Sequence, residues 1–135
     1  MPSDSEPEAA APVLLYVEDE IIVQELVESA LRDAGFEILI ASDGTEALDL
    51  LGPSNGALRG LITDINLGDG PDGWQVACRA RELTSGLPVV YVSGASEGEW
   101  TSRGVPNSVM IAKPFAPAQI VVAISSLLVS SDPTL

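Results

Sequence analysis

Leu61-Ile62-Thr63-Asp64-Ile65-Asn66-Leu67 runs straight into Gly68-Asp69-Gly70-Pro71-Asp72-Gly73. An apolar run closed by turn residues reads as a buried strand that ends at an acid. Leu61 and Ile62 carry the hydrophobic load, and the glycines, proline and aspartates beyond cannot extend it. Asp64 is thereby placed where a strand runs out, at the carboxyl edge where open α/β sheets bind ligands. On its own such an aspartate more often caps a turn. It gains weight because two further acids, a hydroxyl and the chain's one lysine also fall at strand ends.

Working outward, Val13 to Val17 reads as a first strand ending in Glu18-Asp19-Glu20. A helix follows from about Glu20 to Ala34, with Ile22, Leu26 and Ala30 on one face and Gly35 as its stop. Phe36 to Ile40 is a second strand. Asp43 with Glu46 has capping-box spacing and opens a helix closed by Gly52-Pro53. The central strand covers about Gly60 to Asp64. Trp74 to Thr84 is helical, with Val76, Ala77, Ala80 and Leu83 inward. Strand four is Val89 to Val92, ending in Ser93-Gly94. Ser96 and Glu99 again have capping spacing before a short helix to about Arg103. Strand five is Val109 to Ala112, ending in Lys113-Pro114, and the last helix runs from Pro117 to about Leu128. Residues 1–12, rich in proline, alanine and acid, read as a disordered acidic tail, and residues 131–135 as a frayed end. Residues 13–130 form one domain. Repeated β-α alternation implies a parallel sheet with helices on both faces. With five strands the flavodoxin-like order 2-1-3-4-5 is expected, its switch point between strands one and three. Glu18, Asp19 and Asp64 project into that crevice.

Composition narrows the chemistry. The 135 residues suffice for one domain with a real core, and 46% are hydrophobic. No apolar run approaches the ~18 residues of a membrane span, and the N-terminus lacks the basic and apolar regions of a signal peptide. The net charge of −14 argues against nucleic acid and anionic membrane, which need a basic footprint. The absence of histidine excludes Ser-His or Cys-His catalysis and imidazole ligation of zinc. The one cysteine, Cys78, allows no internal disulfide; its helical setting reads as a small core position.

Three carboxylates brought together repel one another, so a proton or a cation must relieve them. A hard divalent cation held by oxygens is the economical answer, and magnesium suits one to three carboxylates plus waters. Asn66 is placed to add its backbone carbonyl. Ser93 and Lys113 contribute a hydroxyl and a cation around the same carboxylate. Such a cage supplies the positioning and charge neutralisation that phosphoryl transfer needs, with Asp64 as the carboxylate that meets phosphorus.

These segments together resemble the receiver domain of bacterial two-component response regulators, from Val13 to about Val129. The motifs are Leu14-Leu15-Tyr16-Val17-Glu18-Asp19-Glu20, Asp43-Gly44-Thr45-Glu46-Ala47-Leu48, Leu61-Ile62-Thr63-Asp64, Val90-Tyr91-Val92-Ser93-Gly94 and Lys113-Pro114-Phe115. The resemblance implies a cytoplasmic protein phosphorylated on Asp64 by a histidine kinase or histidine phosphotransferase. It implies magnesium held by Glu18, Asp19, Asp64 and the Asn66 carbonyl, Ser93 and Lys113 on the phosphoryl group, and a cis Lys113–Pro114 peptide. It implies no independent substrate turnover, and a stand-alone receiver that signals through protein contacts or drains phosphate. The output face would include Trp100, Met110 and the last helix, with phosphorylation-linked dimers possible. Three departures stand out. Glu18 replaces the commoner aspartate, Gly68 replaces a usual proline in a loop one residue longer, and Met110 stands where an aromatic switch residue is usual. The last keeps a second reading open, a receiver-fold binding module with a weak switch or none. A third, a magnesium phosphohydrolase on a related sheet, lacks the second acid of an Asp-x-Asp pair, since Asn66 stands there.

Overall fold

The computed structural model describes residues 12–54, 58–94 and 97–131. Its elements in chain order are β1 (Val13–Val17), α1 (Ile21–Asp33), β2 (Glu37–Ala41), α2 (Gly44–Ser54), β3 (Leu58–Asp64) and α3 (Gly73–Leu83). They continue as β4 (Val89–Ser93), a 3₁₀ turn (Glu97–Glu99), α4 (Trp100–Arg103), β5 (Ser108–Ala112) and α5 (Pro117–Ser131). All strand pairs are parallel, and the sheet order is β2-β1-β3-β4-β5. This is the flavodoxin-like 2-1-3-4-5 arrangement, with five helices on its two faces.

Strands covered on both faces are apolar on both, and the two sides of β3 show it. Leu61 joins a cluster with α2 and α3, through Ala47, Leu51, Trp74, Val76 and Ala77. Ile62 joins the opposite cluster with α1 and α5, through Val27, Leu31, Ile120 and Ile124. Alternation along a strand therefore feeds two cores rather than one core and solvent.

Four readings of the sequence need correction. On α1 the buried positions are Gln24, Val27 and Leu31, while Ile22 and Leu26 are 74% and 59% exposed. The chain carries apolar residues on two sides of this helix, and the position of the sheet decides which is covered. Cys78 is exposed, turned away from the stripe of Val76, Ala77 and Ala80 that meets the core. The second helix passes through Gly52-Pro53 and ends at Ser54, so the proline falls inside its last turn rather than beyond it. The last helix runs past Leu128 to Ser131, so Ser131 is helical rather than frayed. The acidic tail, apart from Pro12, and residues 132–135 lie outside the described residues, as does the expected cap Ser96.

The turn after β3 explains the missing proline. Gly68 and Gly70 have φ of +79° and +91°, values a proline cannot adopt. Asp72 then caps α3, accepting from the Gln75 N–H while the Gln75 side chain accepts from the Asp72 N–H, a reciprocal box.

The two faces of α1 make opposite predictions. Leu31→Ala should cost about 2–5 kcal/mol, the range for a buried leucine. Leu26→Ala should stay within about 0.5 kcal/mol, as surface changes do. Urea unfolding of both variants measures this, and a larger loss at Leu26 would refute the assignment of faces.

Candidate functional site

At the carboxyl edge, β1 and β3 are neighbours, and their last residues deliver the acids. Val17 is the final residue of β1, paired with Ala41 and Thr63. Glu18 follows it, its N–H donating to the Ala41 carbonyl at 3.0 Å. Glu18 is 1% and Asp64 3% exposed, whereas Asp19 is exposed. Carboxylate oxygens of Glu18, Asp19 and Asp64 all lie within 4.8 Å of one another.

Lys113 follows β5, two strands away from Asp64, and crosses the end of β4 to reach it. Its Nζ donates to Asp64 Oδ2 at 2.7 Å, and its backbone N–H donates to the Ser93 carbonyl at 2.9 Å. The Lys113–Pro114 peptide is cis. Ser93 is fully buried as the last residue of β4. Glycine is required at Gly73. A side chain there would run into the Asp64 carbonyl, so α3 starts directly against the backbone of that aspartate. The Gly73 N–H donates to the Ile65 carbonyl at 2.8 Å.

Burial dominates the electrostatics. It pushes the Glu18 carboxyl up to about 7, with Asp64 and Asp19 adding to the rise and the Glu20 N–H and Lys113 opposing it. Burial likewise raises Asp64, helped by Asp19, against the pull of Lys113 and the Asn66 backbone N–H. Partial burial works against the charge of Lys113, yet Asp64, Glu18 and Glu20 outweigh it and hold the ammonium above its usual value. The Glu18 carboxylate has two donors: the Glu20 N–H reaches Oε2 at 3.2 Å and the Tyr16 hydroxyl lies 3.5 Å from Oε1. Burial raises the Tyr16 phenol as well, reinforced by Glu18 and Asp64, so Tyr16 stays a donor.

Three carboxylates face one lysine, leaving a surplus of negative charge that a single ammonium cannot offset. The available donors are all oxygens, which fits a hard divalent cation such as magnesium and not a soft one. Asn66 is exposed at the lip of this group.

The remaining expected residues lie apart from the acids. Trp100 is 37% exposed, its indole N–H donating to Ser108 Oγ at 2.9 Å. Met110 is half-buried and registers with Tyr91 on the adjacent strand. Tyr91 itself packs against Trp74, ring centroids 4.8 Å apart and planes tilted by 53°, and accepts the Val105 N–H through its hydroxyl at 3.0 Å. Arg103 lies over the Trp74 ring at 5.5 Å. Sequence reasoning missed this aromatic group, and missed Tyr16 and Gln24. Gln24 was detectable as the polar member of the Gln24, Val27, Leu31 stripe; Tyr16, two residues before Glu18 on the same strand face, was detectable by alternation.

The raised Glu18 value sets a pH dependence. Folding favours the protonated acid, so this contribution is full below the ordinary value of 4.5 and is lost as pH rises through about 7. In EDTA, urea unfolding should find the protein less stable at pH 8 than near pH 5, with Glu18 accounting for on the order of 2–3 kcal/mol. Glu18→Gln should remove that part and raise metal-free stability at pH 8; an unchanged pH slope would contradict the burial argument.

Comparison with known proteins agrees with the geometry. The response regulator receiver domain profile matches residues 14–125. A response regulator receiver protein from Sinorhizobium medicae WSM419 has a structure that superposes with a TM-score of 0.86 at 43% identity, covering 90% of this chain and 98% of that one. The Vibrio cholerae chemotaxis protein CheY4 shares the fold, with a TM-score of 0.77 at 24% identity over 87% of this chain and 99% of that one. The transcriptional regulatory protein SrrA of Staphylococcus aureus is 34% identical over 119 residues, 85% of this chain. This chain spans about half the length of the curated relatives it matches, 47% of SrrA and 50% of the Bacillus subtilis protein YbdJ. A parallel sheet in 2-1-3-4-5 order, its edge acids gathered beside Lys113, and a profile covering most of the chain lead to one conclusion: the chain belongs to the response regulator receiver domain family of two-component systems.

Proposed function

We propose that Asp64 accepts a phosphoryl group from a histidine kinase or histidine phosphotransferase, with magnesium assistance, and that the phosphorylated chain acts through protein contacts. The observation that carries this reading is the nearly inaccessible Asp64 carboxylate, ion-paired to Lys113 and set against Glu18 and Asp19. An Asp64 carboxylate oxygen attacks phosphorus, the P–N bond to the donor imidazole breaks, and the electron pair returns to the imidazole. The product is an acyl phosphate. Lys113 then turns from the carboxylate to the phosphoryl oxygens, and Ser93 donates its hydroxyl to another of them. Glu18, Asp19, Asp64 and the Asn66 carbonyl would hold magnesium, which would supply charge neutralisation for the phosphoryl oxygens. Water later hydrolyses the acyl phosphate, so the chain turns over its own modification and no separate substrate.

Two surfaces support protein partners. Ile22 and Leu26 form an exposed apolar strip on α1, bordering a cleft of about 390 Å³ lined by Val23, Lys113, Pro114 and Phe115. This is where a donor protein would rest while its histidine reaches Asp64. The second lies on α5, which packs in the same layer as α1, carries no charged residue from Pro117 to Ser131 and exposes Val122 and Val129. In a chain of net charge −14, that neutral face beside Met110 and Trp100 suits an output partner or a second copy. Among the described residues no helix is long and apolar enough to cross a membrane.

Met110 favours a second reading, a binding module with a muted switch. Its register partner on β4, Tyr91, is buried and bonded to Val105, and so not free to swing. Amide spectra with and without beryllofluoride decide between them: shifts at Ser93 and around Trp100 support the switch, and silence at both supports the module.

Acetyl phosphate should add one phosphoryl group, seen by intact mass, only when magnesium is present. The adduct should be hydroxylamine-labile and absent from Asp64→Asn. Failure to gain mass under conditions where magnesium binding is shown separately would refute the phosphoacceptor reading. Leu26→Lys should leave acetyl phosphate labelling unchanged and slow transfer from a phosphorylated histidine phosphotransfer domain by at least about tenfold, the 1.4 kcal/mol scale of one lost apolar contact.

A further inference from the structure

Gln24 is a polar side chain on the face of α1 that is otherwise committed to the core, beside Val27 and Leu31. It is 9% exposed. Its Nε2 donates to the Glu18 carbonyl at 2.6 Å and to Ser42 Oγ at 3.2 Å. Its backbone N–H donates to the Glu20 carbonyl at 2.9 Å. One residue thus grips both ends of Glu18-Asp19-Glu20. Ser42 is itself fastened, its N–H donating to Glu46 Oε1 at 2.8 Å, so the grip is anchored to α2 as well.

The Glu18 carbonyl lies past the last ladder pair of β1, at Val17, where no strand partner remains and a buried carbonyl needs a donor. That carbonyl and the Asp19 N–H belong to one rigid peptide plane. Holding the oxygen therefore sets the direction in which the chain leaves toward Asp19, and with it the relative placement of the two acids. A primary amide suits the task. It donates both hydrogens, adds no charge beside the acidic group, and is long enough to span Glu18 and Ser42. An arginine or lysine would bring a competing cation, and a glutamate would turn an oxygen on the carbonyl.

We infer that Gln24 is a positioning residue for the acidic pair, and that by fixing the Glu18–Asp19 peptide it sets the affinity of the site for a divalent cation. This rests on the metal-assisted reading above. Outer contacts of this kind typically change metal affinity by about 10–100-fold when removed.

The test is a calorimetric magnesium titration of the wild type and Gln24→Met, a variant of similar length that lacks the donor. Magnesium affinity should fall by about tenfold or more, and the melting temperature, already lowered in EDTA by the lost buried hydrogen bond, should fall further in saturating magnesium. Labelling by acetyl phosphate should need more magnesium for half-maximal rate yet approach the wild-type rate at saturation. Ser42→Ala should weaken binding less, and should add nothing to Gln24→Met. If Gln24→Met does not fold, Gln24→Asn, which keeps the amide one methylene short, takes its place with the same expectation. Unchanged magnesium affinity in the folded variant, or an equal loss of melting temperature with and without magnesium, would overturn the proposal. A wild type that binds no magnesium would instead overturn the metal reading beneath it.

Discussion

Two carboxylates, Glu18 and Asp64, are held out of solvent at the ends of adjacent strands, and a third, Asp19, stands beside them. Water is the cheapest partner for a carboxylate, so taking two out of it costs several kcal/mol each unless something compensates. Everything else at this edge answers that cost. Lys113 crosses β4 to reach Asp64. The Glu20 N–H and the Tyr16 hydroxyl face Glu18, and the Glu18 acid rises to about 7. The compensation is incomplete, and an incompletely compensated oxygen cluster is what a hard cation and a phosphoryl group can use.

The scaffold holds this unfavourable group by apolar burial on both sides. Leu61 and Ile62, consecutive on β3, are buried in opposite cores, each contributing on the order of 1.5–3 kcal/mol. The strand cannot slide without exchanging its two faces, so Asp64 cannot leave the edge. Gly73 packs α3 against the Asp64 carbonyl, and Trp74, the next residue, touches Tyr91 and Arg103. Backbone at the acid is therefore continuous, through one aromatic contact, with the segment carrying α4. Those contacts lie on the side where Met110 has no ring to offer.

The fold was legible because parallel strands covered on both faces leave short apolar runs, and turn residues mark their ends. Asp64, Asp19 and Lys113 were legible for the same reason, as polar residues placed where such runs stop. The face of α1 was not, because Ile22-Leu26-Ala30 and Val27-Leu31 are both apolar stripes, and periodicity alone cannot rank them. Cys78 failed similarly: its neighbours Ala77 and Ala80 are small and buried, and one position around the helix separates it from them.

What the sequence determined by itself was the order of elements, the approximate bounds of each strand and the set of groups that gather at one edge. These follow from local patterns, period two or 3.6, and from residues that end them. What only the tertiary structure decided was which groups touch and which face water. Lys113 lies 49 residues from Asp64, and Gln24 meets Ser42 across 18. Such contacts depend on which strands become neighbours and on the rotation of each helix against the sheet. Those are set by the packing of the whole core, since no local stretch contains both partners.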